Sequence, residues 1–284
     1  MAKPNTEMKD EDIKKIQEIV KQHYHDILSG SMVLGKLKKI IPILQRYAIA
    51  VLDSQGPEEN KTNLESEQQY LKLLRDNGFP VIGTYGNVFE VQPGQYGIIM
   101  DWIPNACLMD AKKPVELSYA LSGLLLGYKV DLGKEQTKNV NFFKASFYLE
   151  LQKAELQKVI KRAEVLKQQL ETLLERFTEQ NLFVGDLQVL VDINGQCTII
   201  DPHHLARAVP EPHKYVDALD DKKQLPQDSE KLINNSIDML GSCVKWLDGV
   251  TKAKSINDVS DHIMNSLDKG QEPALVASSK PRKR

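Results

Sequence analysis

The stretch Asn181–Pro202, NLFVGDLQVLVDINGQCTIIDP, holds two short apolar runs on either side of a turn, with an aspartate at the outer end of each. Val189-Leu190-Val191 leads into Asp192-Ile193-Asn194-Gly195, residues suited to closing a hairpin, and Thr198-Ile199-Ile200 returns from it. Pairing these strands brings Asp186 and Asp201, fifteen residues apart, to the same end of the hairpin. Two carboxylates at one end of a buried hairpin repel and lose solvation, so they need a compensating cation or strong hydrogen bonds. A divalent metal ion holding phosphate oxygens is one such compensation, and Mg²⁺ prefers hard oxygen ligands of this kind. For Asp201-Pro202 taken alone, a simple role as turn and strand-end residues is the favoured reading.

The rest of the chain sets outer bounds. Its 284 residues, 41% hydrophobic and 27% charged, are enough for one large domain or two lobes. A net charge of −2 and a pI of about 6.3 give no global attraction to nucleic acid or an anionic membrane. The basic end Lys280-Pro281-Arg282-Lys283-Arg284 is a local exception that reads as a solvated tail. Cys107, Cys197 and Cys243 are odd in number and far apart, which argues against a disulfide framework or a structural zinc site and fits a reducing compartment. No apolar leader follows the polar start, and no apolar run of membrane-spanning length occurs, so a soluble cytoplasmic protein with no transmembrane segment is expected.

Periodicity supplies the elements. Asp10 to Leu28 predicts an amphipathic helix with acids in its first turn. Met32–Leu34, Ile40–Leu44 and Tyr47–Leu52 predict strands, followed by a polar loop from Asp53 to Lys61. Thr62-Asn63 predicts the cap of a helix running to Asn77-Gly78, and Val81-Ile82, Val88–Val91 and Gly97–Met100 predict further strands with a turn at Gln92–Gln95. Beyond Pro114 the period becomes helical: Val115–Leu126, a long stripe from Phe147 to Phe177, then Ser229–Leu247 and Ile256–Leu267. A coiled coil is the competing reading of the long stripe. Trp102 and Trp246 read as a hinge or interlobe contact and the core anchor of a C-terminal helix, and His203 and His204 as surface or loop residues.

Val184-Gly185-Asp186-Leu187 resembles the catalytic-loop segment of the protein-kinase-like superfamily, including its aminoglycoside- and choline-kinase branch and small bacterial effector kinases. Ile199-Ile200-Asp201-Pro202 is similar to the strand and aspartate of that family's metal-binding motif, Glu67–Val81 to its N-lobe helix, and Tyr96–Ile103 to the strand entering its hinge. The resemblance implies an α+β, bilobal fold: an N-terminal helical extension over 1–30, an N-lobe with an antiparallel sheet and a helix over 31–104, a mainly helical C-lobe over 105–269, and a disordered basic tail over 270–284. It implies that Asp186 orients or deprotonates an acceptor hydroxyl and that Asp201 and Gln188 hold Mg²⁺ or Mn²⁺. Glu67, with Glu65 as its nearby alternative, would be the helix glutamate that pairs with a lysine. Backbone groups around Met100, Asp101, Trp102 and Ile103 would bind the adenine of ATP.

Three positions depart from the family pattern. The loop after Asp186 is shortened, so that Gln188 stands for the usual Asn; Val184 replaces a histidine; and Ala50, in Tyr47-Ala48-Ile49-Ala50-Val51-Leu52, stands where the phosphate-binding lysine belongs. Lys36, Lys38, Lys39 and Lys61 are the open candidates to replace that cation. The expected function is an atypical ATP- and Mg²⁺-dependent phosphotransferase acting on a protein. The alternatives are a pseudokinase that binds a partner protein and a kinase-fold enzyme with another nucleotide-dependent transfer. A loose resemblance to effector kinases adds delivery into a host cell by a leaderless route.

Overall fold

The computed structural model describes residues 8–30, 38–44, 46–52, 56–104, 106–110, 125, 148–149, 151–202, 204–210, 215–220, 225–226 and 228–268. The strand expected at 32–34, the glycine loop beyond Gly30, Lys36, most of the helix expected at 115–126, His203 and the tail at 270–284 lie outside those residues. The chain divides into two compact units, Met1–Pro104 and Asn105–Arg284. Both are α+β, with antiparallel sheets.

In the first unit, helix α1 (Asp10–Gly30) precedes strands β1 (Lys38–Leu44) and β2 (Tyr47–Leu52), helix α2 (Pro57–Asp76), and strands β3 (Thr84–Gln92) and β4 (Gln95–Asp101). The sheet runs β1-β2-β4-β3. Side chains alternate across a strand, so each strand sends one set of residues to each face. Ile41 of β1, Ile49 and Val51 of β2 and Ile99 of β4 form a core with Ile13, Val20 and Tyr24 of α1. The intervening residues Ala48, Ala50, Ile98 and Met100, all buried, point to the other face, and α2 packs against β2, β3 and β4. Gly86, at φ +67, holds its backbone where a side chain would strike Ile13, letting α1 lie close on β3.

Helix α2 starts five residues before the expected cap. Gly56 is the N-cap and Pro57 occupies the first turn, where its missing N–H costs nothing and its fixed φ suits a helix; Glu58 and Glu59 then favour the positive helix end. Thr62 is therefore inside the helix, its Oγ1 donating to the Glu58 carbonyl at 2.8 Å. The stop at Asn77-Gly78 matches the reading of the sequence, with Gly78 at φ +78 and the Phe79 N–H returning to the Leu74 carbonyl.

The second unit contains β5 (Cys107–Asp110), α3 (Leu156–Glu179), β6 (Phe183–Gly185), β7 (Gln188–Val191), β8 (Cys197–Ile200), β9 (His204–Ala208), β10 (Tyr215–Asp217), α4 (Ser229–Thr251) and α5 (Ile256–Asp268). The long helical stripe is broken at 153–155, so α3 begins only at Leu156, with Glu155 extended before it. Helix α3 packs along α4, burying Val159, Ala163, Leu166, Leu170, Leu173 and Phe177 in a globular core rather than a coiled coil. Trp246 is buried on α4, and its carbonyl and ring both meet His262 of α5. All three cysteines are free thiols and buried.

Lys167 of α3 bonds to Asp248 of α4 at 2.7 Å, and Lys252 bonds to the same carboxylate. The Lys167 ammonium, then Lys252, holds the Asp248 carboxyl down at about 2. A carboxyl depressed in the folded state adds stability that is fully present above its unfolded value of about 4 and is lost as the pH falls through the folded value. Asp248→Asn should therefore flatten the loss of Tm between about pH 4 and pH 2, measured by thermal unfolding across that window.

Candidate functional site

The hairpin at 188–200 has the expected register: Gln188 faces Ile200, Val189 faces Ile199, and Val191 faces Cys197. Its turn is closed by Asp192, whose Oδ1 accepts the N–H groups of Asn194 and Gln196 at 2.8 and 2.9 Å, while Gly195 takes φ +82. Asp186 lies two residues before Gln188 and Asp201 directly after Ile200, so the register sets both aspartates at the open end.

A second ladder, which periodicity did not reveal, constrains them further. Gly185 of β6 faces His204 of β9, and Val184 faces Leu205, in a sheet separate from that of β7 and β8. Only Asp186-Leu187 joins β6 to β7, and only 201–203 join β8 to β9. The chain therefore changes sheets twice at the same level, within two or three residues each time. Both turns are made in the left-handed region: Asp186 has φ +64 and Asp201 φ +51. For a residue other than glycine this costs on the order of 1–3 kcal/mol, and aspartate is among the residues that tolerate it best.

Asp186 is buried, whereas Asp201 and Gln188 are half-buried. Among the described residues, no group of three or more His, Cys, Asp or Glu side chains could hold a metal ion by itself. A carboxylate and an amide oxygen from adjoining strands nevertheless suit Mg²⁺, which binds few protein oxygens and completes its shell with water and phosphate oxygens. The donor set therefore fits the ion.

In the first unit a lysine from β1 meets Glu67 of α2. On α2, Leu64, Leu71 and Leu74 form a buried stripe, and Glu67 occupies the position between them, three residues after Leu64 and four before Leu71. An acid at such a position needs a partner. Lys38 supplies it: its Nζ donates to Glu67 Oε2 at 2.5 Å, and both side chains are only 12% exposed. Lys38 faces Leu52, and Ile40 faces Ala50, so Lys38 and Ala50 share the sheet face that meets α2. The other candidates differ: Lys39 faces Val51 and belongs to the α1 side, and Lys61 approaches exposed Glu65 at 4.0 Å.

At the exit of β4 the backbone is largely committed. The Asp101 N–H donates to the Gly83 carbonyl at 2.9 Å and the Trp102 N–H to the Arg46 carbonyl at 2.8 Å, while Met100 stands in the ladder opposite Ala48 and Thr84. Among the described residues, the Ile103 N–H makes no hydrogen bond. The Asp101 carboxylate accepts the Gly83 N–H at 2.9 Å and the Tyr85 hydroxyl at 2.7 Å. Burial, then this carboxylate, pushes the Tyr85 phenol well above its ordinary value.

No protein-family model matches the chain, and no curated protein matches it. Among solved structures it is similar to the choline kinase LicA from Streptococcus pneumoniae, with a TM-score of 0.27 and 15% identity over 91% of this chain and 98% of that one. LicA in complex with AMP gives 0.28 and 15% over 90% and 97%. Scores this low set neither fold nor chemistry, so the residues themselves carry the functional reading.

A Cβ at Gly83 would stand 2.2 Å from Asp101 Oδ2. Gly83→Ala should therefore displace the carboxylate, strand the groups bonded to it and cost about 1–3 kcal/mol in urea unfolding.

Proposed function

We propose that the chain is an atypical ATP- and Mg²⁺-dependent phosphotransferase of bilobal protein-kinase-like design, Met1–Pro104 serving as N-lobe and Asn105–Arg284 as C-lobe. The observation that carries this reading is the Lys38–Glu67 ion pair, because it answers the absence of a lysine at Ala50. In this reading Glu67 fixes the Lys38 ammonium, which binds phosphate oxygens of ATP. The Ile103 N–H, with neighbouring carbonyls, is the donor left for adenine. Asp201 and Gln188 would hold Mg²⁺, which neutralises charge on the phosphate oxygens. Asp186 orients the acceptor hydroxyl and takes its proton as the hydroxyl oxygen bonds to the γ-phosphorus and the bond to the bridging oxygen of ADP breaks. The acceptor in this reading is a protein.

Ala50 itself favours the rival reading, a pseudokinase that binds a partner protein. The two separate cleanly. Incubated with γ-labelled ATP and Mg²⁺ or Mn²⁺, the chain should transfer label, and Asp186→Asn or Asp201→Ala should lower transfer by about a hundredfold or more. Lys38→Met should lose transfer and weaken the rise in Tm that Mg²⁺-ATP produces by mass action, and adding Ala50→Lys to it should restore part of both. Label in acid-insoluble material supports the protein acceptor, and label confined to the soluble fraction removes it. A wild-type chain that neither transfers label nor gains Tm with Mg²⁺-ATP ends the enzyme reading.

A further inference from the structure

Ser236 lies in the middle of α4 and is 2% exposed. Its Oγ donates to the Leu232 carbonyl one turn back at 2.9 Å and accepts the Leu187 N–H at 3.0 Å. A serine hydroxyl has one proton, so giving it to Leu232 leaves the lone pairs for Leu187. The direction of both bonds is thereby fixed.

The Leu187 N–H belongs to the peptide unit that joins Asp186 to Leu187, and its direction in space is set by ψ of Asp186. Asp186 is the residue at φ +64, at the crossing between two sheets. Left alone, that residue would gain by relaxing toward an ordinary conformation. A hydrogen bond from the next amide to a rigid helix opposes this relaxation. Helix α4 makes a second contact on the same side: Ile233, three residues before Ser236, lies where a side chain at Gly185 would meet its Cγ1 at 3.7 Å. One face of α4 thus grips the residues immediately before and after Asp186. Ser229, on the same helix, is also buried, but its hydroxyl has no partner among the described residues, so a buried serine on α4 does not by itself imply such a bond.

We infer that Ser236 is a positioning residue: through the Leu187 amide it holds the Asp186 backbone in the left-handed conformation that aims its carboxylate, a role that rests on the function proposed above for Asp186. The hydroxyl touches no reacting atom.

Two measurements on the full chain decide it. Amide hydrogen exchange, read at Leu187, should quicken in Ser236→Ala by about fivefold to tenfold relative to wild type, while the β7 and β8 amides keep their protection. ADP release from Mg²⁺-ATP should fall in kcat by about tenfold to a hundredfold with KM changed less than about twofold, since misplacing a group costs rate rather than nucleotide binding. Ser236→Thr, which keeps the hydroxyl, should recover both readouts, and Ser229→Ala should alter neither. Unchanged exchange at Leu187 in Ser236→Ala overturns the inference whether or not the chain turns over ATP. Faster exchange with kcat unchanged in an active chain overturns it too. A wild-type chain inert toward Mg²⁺-ATP, with Leu187 exchange still dependent on Ser236, overturns the phosphotransferase reading and leaves the hold on the Asp186 backbone standing.

Discussion

Two short ladders that trade partners at one level govern the second unit. Strand β6 pairs with β9 and β7 with β8, yet β6 runs into β7 and β8 into β9 with almost no chain between them. Such a crossing gives the chain two residues in one link and three in the other in which to change sheets. The left-handed conformations of Asp186 and Asp201 are the local expression of that geometry. Glycine would adopt them with less strain, but it would bring no carboxylate. The crossing therefore does two things at once: it directs the chain between sheets, and it presents two acidic side chains from fixed backbone.

The first unit brings a cation to the α2 side of its sheet, where β2 itself carries only Ala48, Ala50 and Leu52. Ala48 and Ala50 are buried on the α2 side of β2, and a lysine from the neighbouring strand reaches Glu67 on that same side. Each of these side chains is 12% exposed, so removing one member of the pair strands a charge that is mostly withdrawn from water, which costs more than losing an exposed pair. The pair is thus a structural tie between β1 and α2, and it holds an ammonium group on this face. Charge and scaffold are not separable here.

Local chemistry was legible in the sequence, and distant pairing was not. Asp192, Asn194 and Gly195 announce a tight turn, and alternation around it fixes which residues face each other, so the shared end of Asp186 and Asp201 follows from twenty-two residues alone. Strand β2 was equally clear, bounded as its apolar run is by polar residues. The start of α2 was missed because Gly56-Pro57-Glu58-Glu59 has loop composition, although a proline followed by acids is also how a helix opens. The β6–β9 ladder has a three-residue partner, too short for any period to show. Seeing that Lys38 is the lysine that meets Glu67 needs the register of β1 on β2 together with the packing of α2, and Ser236 follows Asn234-Asn235 in a run where one more polar residue does not stand out.

Helix α1 has a consequence of another kind. Among the described residues, each face of the four-stranded sheet meets a helix: α2 packs against β2, β3 and β4, and Ile13, Val20 and Tyr24 of α1 close over Ile41, Ile49, Val51, Phe89, Val91 and Ile99. Shortening the chain to begin at residue 31 would uncover that apolar wall, and a contiguous exposed apolar patch favours association. The leading helix is thus part of the first unit's core rather than an appendage, and it must fold back onto strands that follow it in the chain.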